Sequence, residues 1–143
     1  MSMKSLYKTD PAANEGGVWF SYPKNADGSV PRVKLSRMSQ ATNKKYAKEL
    51  ETRTRPFRRE LELETLDTEV GDGLMLDVFI ASILLDWEHM QPNDDGEELA
   101  FTPENAKTLL GDPEWAELYE DMREKAKKAA NFRSASLDAE AKN

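Results

Sequence analysis

Gly73-Leu-Met-Leu-Asp-Val-Phe-Ile-Ala-Ser-Ile-Leu-Leu85 is the most apolar run of the chain, and the fold turns on how it is read. It is shorter than the roughly 20 apolar residues that a bilayer needs, and it carries Asp77 inside it. The run therefore belongs in a protein core. Around it Leu63, Leu66, Val70, Leu74, Phe79, Ile83 and Trp87 recur at steps of three to five residues, the stripe of an amphipathic helix. Gly71-Asp72-Gly73 interrupts the stripe, and two glycines cost about 2 kcal/mol relative to alanine inside a helix. The pattern predicts a helical stretch over 58–90, broken or kinked at these glycines and strongly buried from 74 to 89.

Upstream, Val18-Trp-Phe-Ser-Tyr22 and Val30-Pro-Arg-Val-Lys-Leu35 are short β-prone runs on either side of the turn-rich segment PKNADG (23–28). They read as a β-hairpin, with Pro31 confining its strand to an edge or delaying its start. An isolated hairpin is marginal in water, so it should pack on helices. Ser39 or Thr42 can cap a helix over 40–54, where Tyr46 and Leu50 share a face and Pro56 ends the run. Downstream of the loop 91–96, Thr102-Pro103 opens a short helix through Leu110, and Asp112-Pro113 opens another over 113–132. Residues 1–17 read as a flexible arm, 18–133 as one domain and 134–143 as a flexible tail. The predicted fold class is mainly α: a single small domain of about four helices with a short N-terminal β-hairpin.

Charge divides the chain. Residues 1–60 hold 13 Lys and Arg against 6 Asp and Glu, while residues 61–143 hold 7 against 21, so a net −7 conceals +7 and −14. Two oppositely charged faces can attract within one molecule, present an acidic surface to a basic partner, or associate head to tail. The seven bases of Lys44–Arg59, beside Tyr46 and Phe57, could meet phosphates. The acidity of the whole molecule argues against nucleic acid as the partner.

Chemistry is scarce. There is no cysteine, which removes disulfides, thiolate nucleophiles and cysteine metal sites. His89 is the only histidine and lacks a Gly-x-Ser-x-Gly companion, so it reads as a capping or surface residue at a helix end. Asp94-Asp95-Gly96-Glu97-Glu98 lacks the alternating oxygen ligands of a calcium loop and reads as a solvated turn. The glycine pairs at 16–17 and 71–73 have no phosphate-loop spacing. These features point to no catalytic, cofactor or metal site and to a non-enzymatic binding protein without a membrane segment. The start of the chain lacks the apolar core of a signal peptide.

The second half holds an ordered set of segments. Leu84-Leu-Asp-Trp-Glu88 is followed by the turn Asp95-Gly96, then Leu99-Ala-Phe-Thr-Pro-Glu-Asn-Ala106, Leu109-Leu110 and Asp112-Pro-Glu-Trp115. This order resembles the tail assembly chaperones of long-tailed phages and prophages. Gly17-Val-Trp19, the hairpin, Arg37 and Asn43-x-x-Tyr46 are similar to the opening of the same family, so the resemblance spans 17–133.

The resemblance implies a chaperone of virion assembly that binds the aggregation-prone tape measure protein and helps recruit the major tail (tube) protein. It implies action in the host cell cytoplasm and absence from the mature virion. Such a role asks for apolar grooves over a partner's helices and for charge that keeps the complex soluble. Leu109, Leu110, Trp115, Tyr119 and Met122 are the candidate partner-binding residues, with core packing as the alternative for each. Genes of this family often yield a longer product by ribosomal frameshifting, and Ala141-Lys142-Asn143 can be encoded with a slippery A AAA AAC run. A structural virion part (head–tail connector or tail terminator) and an acidic DNA-mimic inhibitor are the rival readings.

Overall fold

The computed structural model describes residues 2–133. The tail reading for 134–143, and the tripeptide Ala141–Asn143, lie outside the described residues. In chain order, helices α1 (Met3–Tyr7) and α2 (Pro11–Gly16) precede strands β1 (Val18–Ser21) and β2 (Arg32–Leu35). Helices α3 (Lys44–Thr54), α4 (Arg58–Glu62) and α5 (Thr68–Ser82) lead to strand β3 (Leu84–Glu88), and α6 (Pro103–Leu110) and α7 (Ala116–Lys127) follow.

The fold is a helix-rich mixture of α and β, which corrects the expectation of a four-helix domain carrying a two-stranded hairpin. The hairpin exists, with Val18 opposite Leu35 and Ser21 opposite Arg32. Its second strand, however, is central to a three-stranded antiparallel sheet of order β1-β2-β3. The third strand is Leu84–Glu88, expected as the end of a buried helix. Two physical reasons favour the strand. β2 offers a free edge, and the register sets Arg32 opposite Glu88 and Lys34 opposite Asp86, two opposite-charge pairs of the kind that stabilise a sheet. A register shift at Lys34/Leu35 leaves Leu85 without a partner and lets both Leu84 and Trp87 face the core.

The break in the long helical pattern is also displaced. Gly71 and Gly73 lie inside α5, and the chain breaks before it, around Glu64, whose φ is 56°. Asp67 then caps α5, its carboxylate accepting from the Glu69 and Val70 amides at 2.9 and 3.3 Å. The cap, worth about 1 kcal/mol, and the burial of Leu76, Val78 and Phe79 in the C-terminal half together outweigh the two glycines.

Val33, Leu35, Phe79, Ile83, Leu84 and Met122 form the centre of the core, none more than 1% exposed. A buried polar chain runs beside them. Asn43 caps α3, accepting from the Tyr46 amide, while its side-chain amide donates to Ser36 Oγ at 3.0 Å and to the Arg37 carbonyl at 2.9 Å. Ser36 Oγ in turn donates to the Ser82 carbonyl at 2.7 Å. The start of α3, the end of β2 and the end of α5 are thereby tied together. In the segment expected as an arm, α2 places Asn14 in the interior, where its carbonyl accepts from the Arg37 amide.

Candidate partner-binding site

An open groove of about 820 Å³ lies between the first half of α5 and the α6–α7 corner. Glu69, Asp72, Gly73, Met75 and Leu76 form one wall; Leu110 to Pro113 and the α7 residues Ala116, Glu117, Tyr119, Glu120 and Arg123 form the other. Local chemistry fixes the corner. A Cβ at Gly111 would stand 2.7 Å from the Lys107 carbonyl oxygen, so glycine lets α6 end in this tight turn, with the Leu76 side chain of α5 in contact range at 3.4 Å. Asp112 then accepts from the Glu114 amide at 3.0 Å and starts the turn into α7.

Tyr119 is held edge-on against Phe79, ring centroids 5.3 Å apart at 76°, and the Arg123 guanidinium lies 4.6 Å from its ring centre. Burial raises the Tyr119 pKa, so the phenol stays neutral. The groove thus combines an apolar floor with five carboxylates (Glu69, Asp72, Asp112, Glu117 and Glu120) and one cation, Arg123. Arg123 pairs with Glu120; the other four carboxylates have no ion-pair partner among the described residues.

The same holds for the whole molecule. Among the described residues, Arg32–Glu88 is the one ion pair that joins the basic residues 1–60 to the acidic remainder. Arg53–Glu49, Arg55–Glu51 and Arg58–Glu51 stay within the first part. Lys107–Asp77 and Lys125–Asp121 stay within the second. The charge asymmetry is mostly left to solvent or to a partner.

Of the exposed large apolar residues among those described, Met3 and Tyr7 lie in α1 and the other four lie close together in sequence, one of them, Met75, in the groove. Leu61 (44%), Leu63 (60%), Val70 (42%) and Met75 (39%) are exposed within fifteen residues, whereas α4 has no buried residue at all. Of the candidates drawn from sequence, Leu109, Leu110 and Met122 are buried, and Trp115 and Tyr119 pack half-buried against the core. Leu110 and Tyr119 reach the groove; the other three do not line it. Sequence reasoning missed Met75 and Asp72, because Val70 and its neighbours continue an apolar stripe that looks like core. The available signal was Glu69 and Asp72, two acids at helical spacing next to that stripe.

His89 does not end a helix. It follows β3 with φ 54°, and its Nδ1 lies 3.0 Å from Glu98, a bond that raises its pKa. Asp95 accepts from the Glu97 amide at 2.9 Å, a turn contact. Among the described residues no three His, Asp or Glu side chains are grouped to hold a metal ion, and no helix is long and apolar enough to cross a membrane.

The arrangement is a small α and β fold with an open groove lined by apolar side chains and carboxylates. The profile of the family described as YdaY prophage protein matches residues 41–143. The chain belongs to this family and is a phage or prophage protein. No curated protein and no solved structure matches it.

Proposed function

We propose that this protein is a non-enzymatic tail assembly chaperone, acting in the host cell cytoplasm on the tape measure protein and the tail tube subunit. The observation that carries the reading is the set of exposed leucine, valine and methionine side chains over 61–75, of which Met75 lines the acidic groove. Exposed apolar groups clustered this way serve to cover a partner's apolar surface, and surplus carboxylates keep the complex in solution. Membership of a prophage family supports the setting. So does the order of segments from Leu84 to Trp115 that resembles tail assembly chaperones.

The test is co-expression with the tape measure protein encoded in the same prophage. The expected result is a rise in the soluble fraction of that protein and its co-purification with this chain. Unchanged solubility, or recovery of the chain in stoichiometric amounts from purified particles, would overturn the reading.

A further inference from the structure

The groove's two walls bear on the kind of helix that can occupy it. Glu69 and Asp72 stand on the α5 side, and Asp112, Glu117 and Glu120 on the α6–α7 side. Between these acids the apolar lining is limited to Met75, Leu76, Leu110, Pro113, Ala116 and Tyr119. The α5 wall from Glu69 to Leu76 runs about 10 Å at 1.5 Å per residue, two turns of a helix.

We infer that the groove binds a partner α-helix with a narrow apolar strip, one or two residues per turn, flanked on both sides by lysine or arginine. A helix with one basic flank would leave one wall of carboxylates desolvated and unpaired, which is costly. A helix with a broad apolar face would press methylenes against both acidic rims. The wide charge separation along this chain does not satisfy these acids internally, since four of the five have no ion-pair partner among the described residues. The inference deepens the chaperone reading and rests on it for the identity of the natural partner; the chemistry of the site is tested separately.

The probe is a labelled helical peptide of about 18 residues with a leucine strip and lysine on both flanks, titrated with the full chain and followed by fluorescence anisotropy. Two control peptides keep the strip: one has lysine on one flank only, the other has glutamate on both. The two-flank lysine peptide binds best, and its affinity falls as salt rises from roughly 50 to 500 mM. Asp72→Lys and Glu117→Lys, exposed positions on opposite walls, each weaken it about tenfold or more. Lys44→Glu, at a position that does not line the groove, does not weaken it, and circular dichroism confirms that all variants fold.

Equal binding of the glutamate peptide, or full affinity in both wall variants, would overturn the inference. So would concentration-dependent self-association of the chain that Glu117→Lys abolishes, because a second copy would then fill the groove. If the lysine peptide binds as expected while the tape measure protein stays insoluble, the chaperone reading fails and the groove chemistry stands. If the tape measure protein is solubilised equally by wild type and by both wall variants, the chaperone reading stands and the inference fails.

Discussion

The two halves of α5 live in different solvents. From Leu76 to Ser82 the helix is core, with Val78, Phe79 and Ser82 at most 1% exposed and the sheet packed against its end. From Thr68 to Met75 it has no buried residue, and the helix before it has none either. One helix is thus a structural keystone at one end and a displayed surface at the other. The difference makes stability separable from the proposed partner contact, and substitutions at the two ends should report on different properties.

The largest effect is expected at the closed end. Trp87 is 4% exposed, donates from Nε1 to the Leu99 carbonyl at 2.7 Å, and meets Phe101 edge-on at 5.1 Å between centroids. Trp87→Ala should cost about 3–5 kcal/mol through the cavity it leaves and the orphaned carbonyl, read as a drop in the denaturant midpoint. Next comes Asn43, fully buried, whose side chain makes three hydrogen bonds. Asn43→Ala should cost about 2 kcal/mol, from the lost helix cap and the unsatisfied groups. Asn43→Asp keeps the cap acceptor but removes both donors, so it should fall between wild type and alanine only if capping dominates.

Sequence disclosed the hairpin, the Thr102 cap and the helix behind it because each depends on local chemistry. Thr102 Oγ1 accepts from the Asn105 amide at 3.0 Å, and Asn105 secures the preceding Ala100 carbonyl at 2.9 Å. The third strand was not legible from its own residues. Phe79, Ile83 and Trp87 are spaced by four, and nothing local distinguishes continued helix from a strand beginning at Leu84. Only the complement shows it: Arg32 and Lys34 two apart on one strand, Asp86 and Glu88 two apart on the other. The groove was half legible. Its acids are visible as a charge excess, but the exposure of Val70 and Met75 depends on where the tertiary structure ends, which periodicity does not encode. Leu109 and Met122 were drawn into the site by the same ambiguity in reverse.

At the open end a third substitution has the opposite sign. A Cβ on Gly73 would meet nothing within 4 Å, and the residue lies in the helix interior. Gly73→Ala should raise stability by about 1 kcal/mol, since it removes a helix penalty without a clash. The melting temperature then rises by a few degrees. A loss of stability would mean that the first half of α5 is packed against something, and the contrast between the halves would fail.

The smallest effect on stability and the sharpest on function are expected from Val70→Ser with Met75→Ser. Both side chains are more than a third exposed, so the folded chain has little apolar burial to lose, and the unfolding free energy should move by no more than about 0.5 kcal/mol. Full burial of such a side chain against a partner contributes roughly 1.5–3 kcal/mol, and each 1.4 kcal/mol is about a factor of ten in affinity. Even half of that burial at two positions would weaken a complex by about tenfold. The variant should therefore melt like wild type while solubilising less of the tape measure protein on co-expression. Asp72→Lys separates the two contributions at the same end of α5, because its effect should fade in high salt whereas that of the serine pair should persist. Equal loss of melting temperature and of solubilisation in the serine variant would show that the displayed half of α5 is part of the core after all.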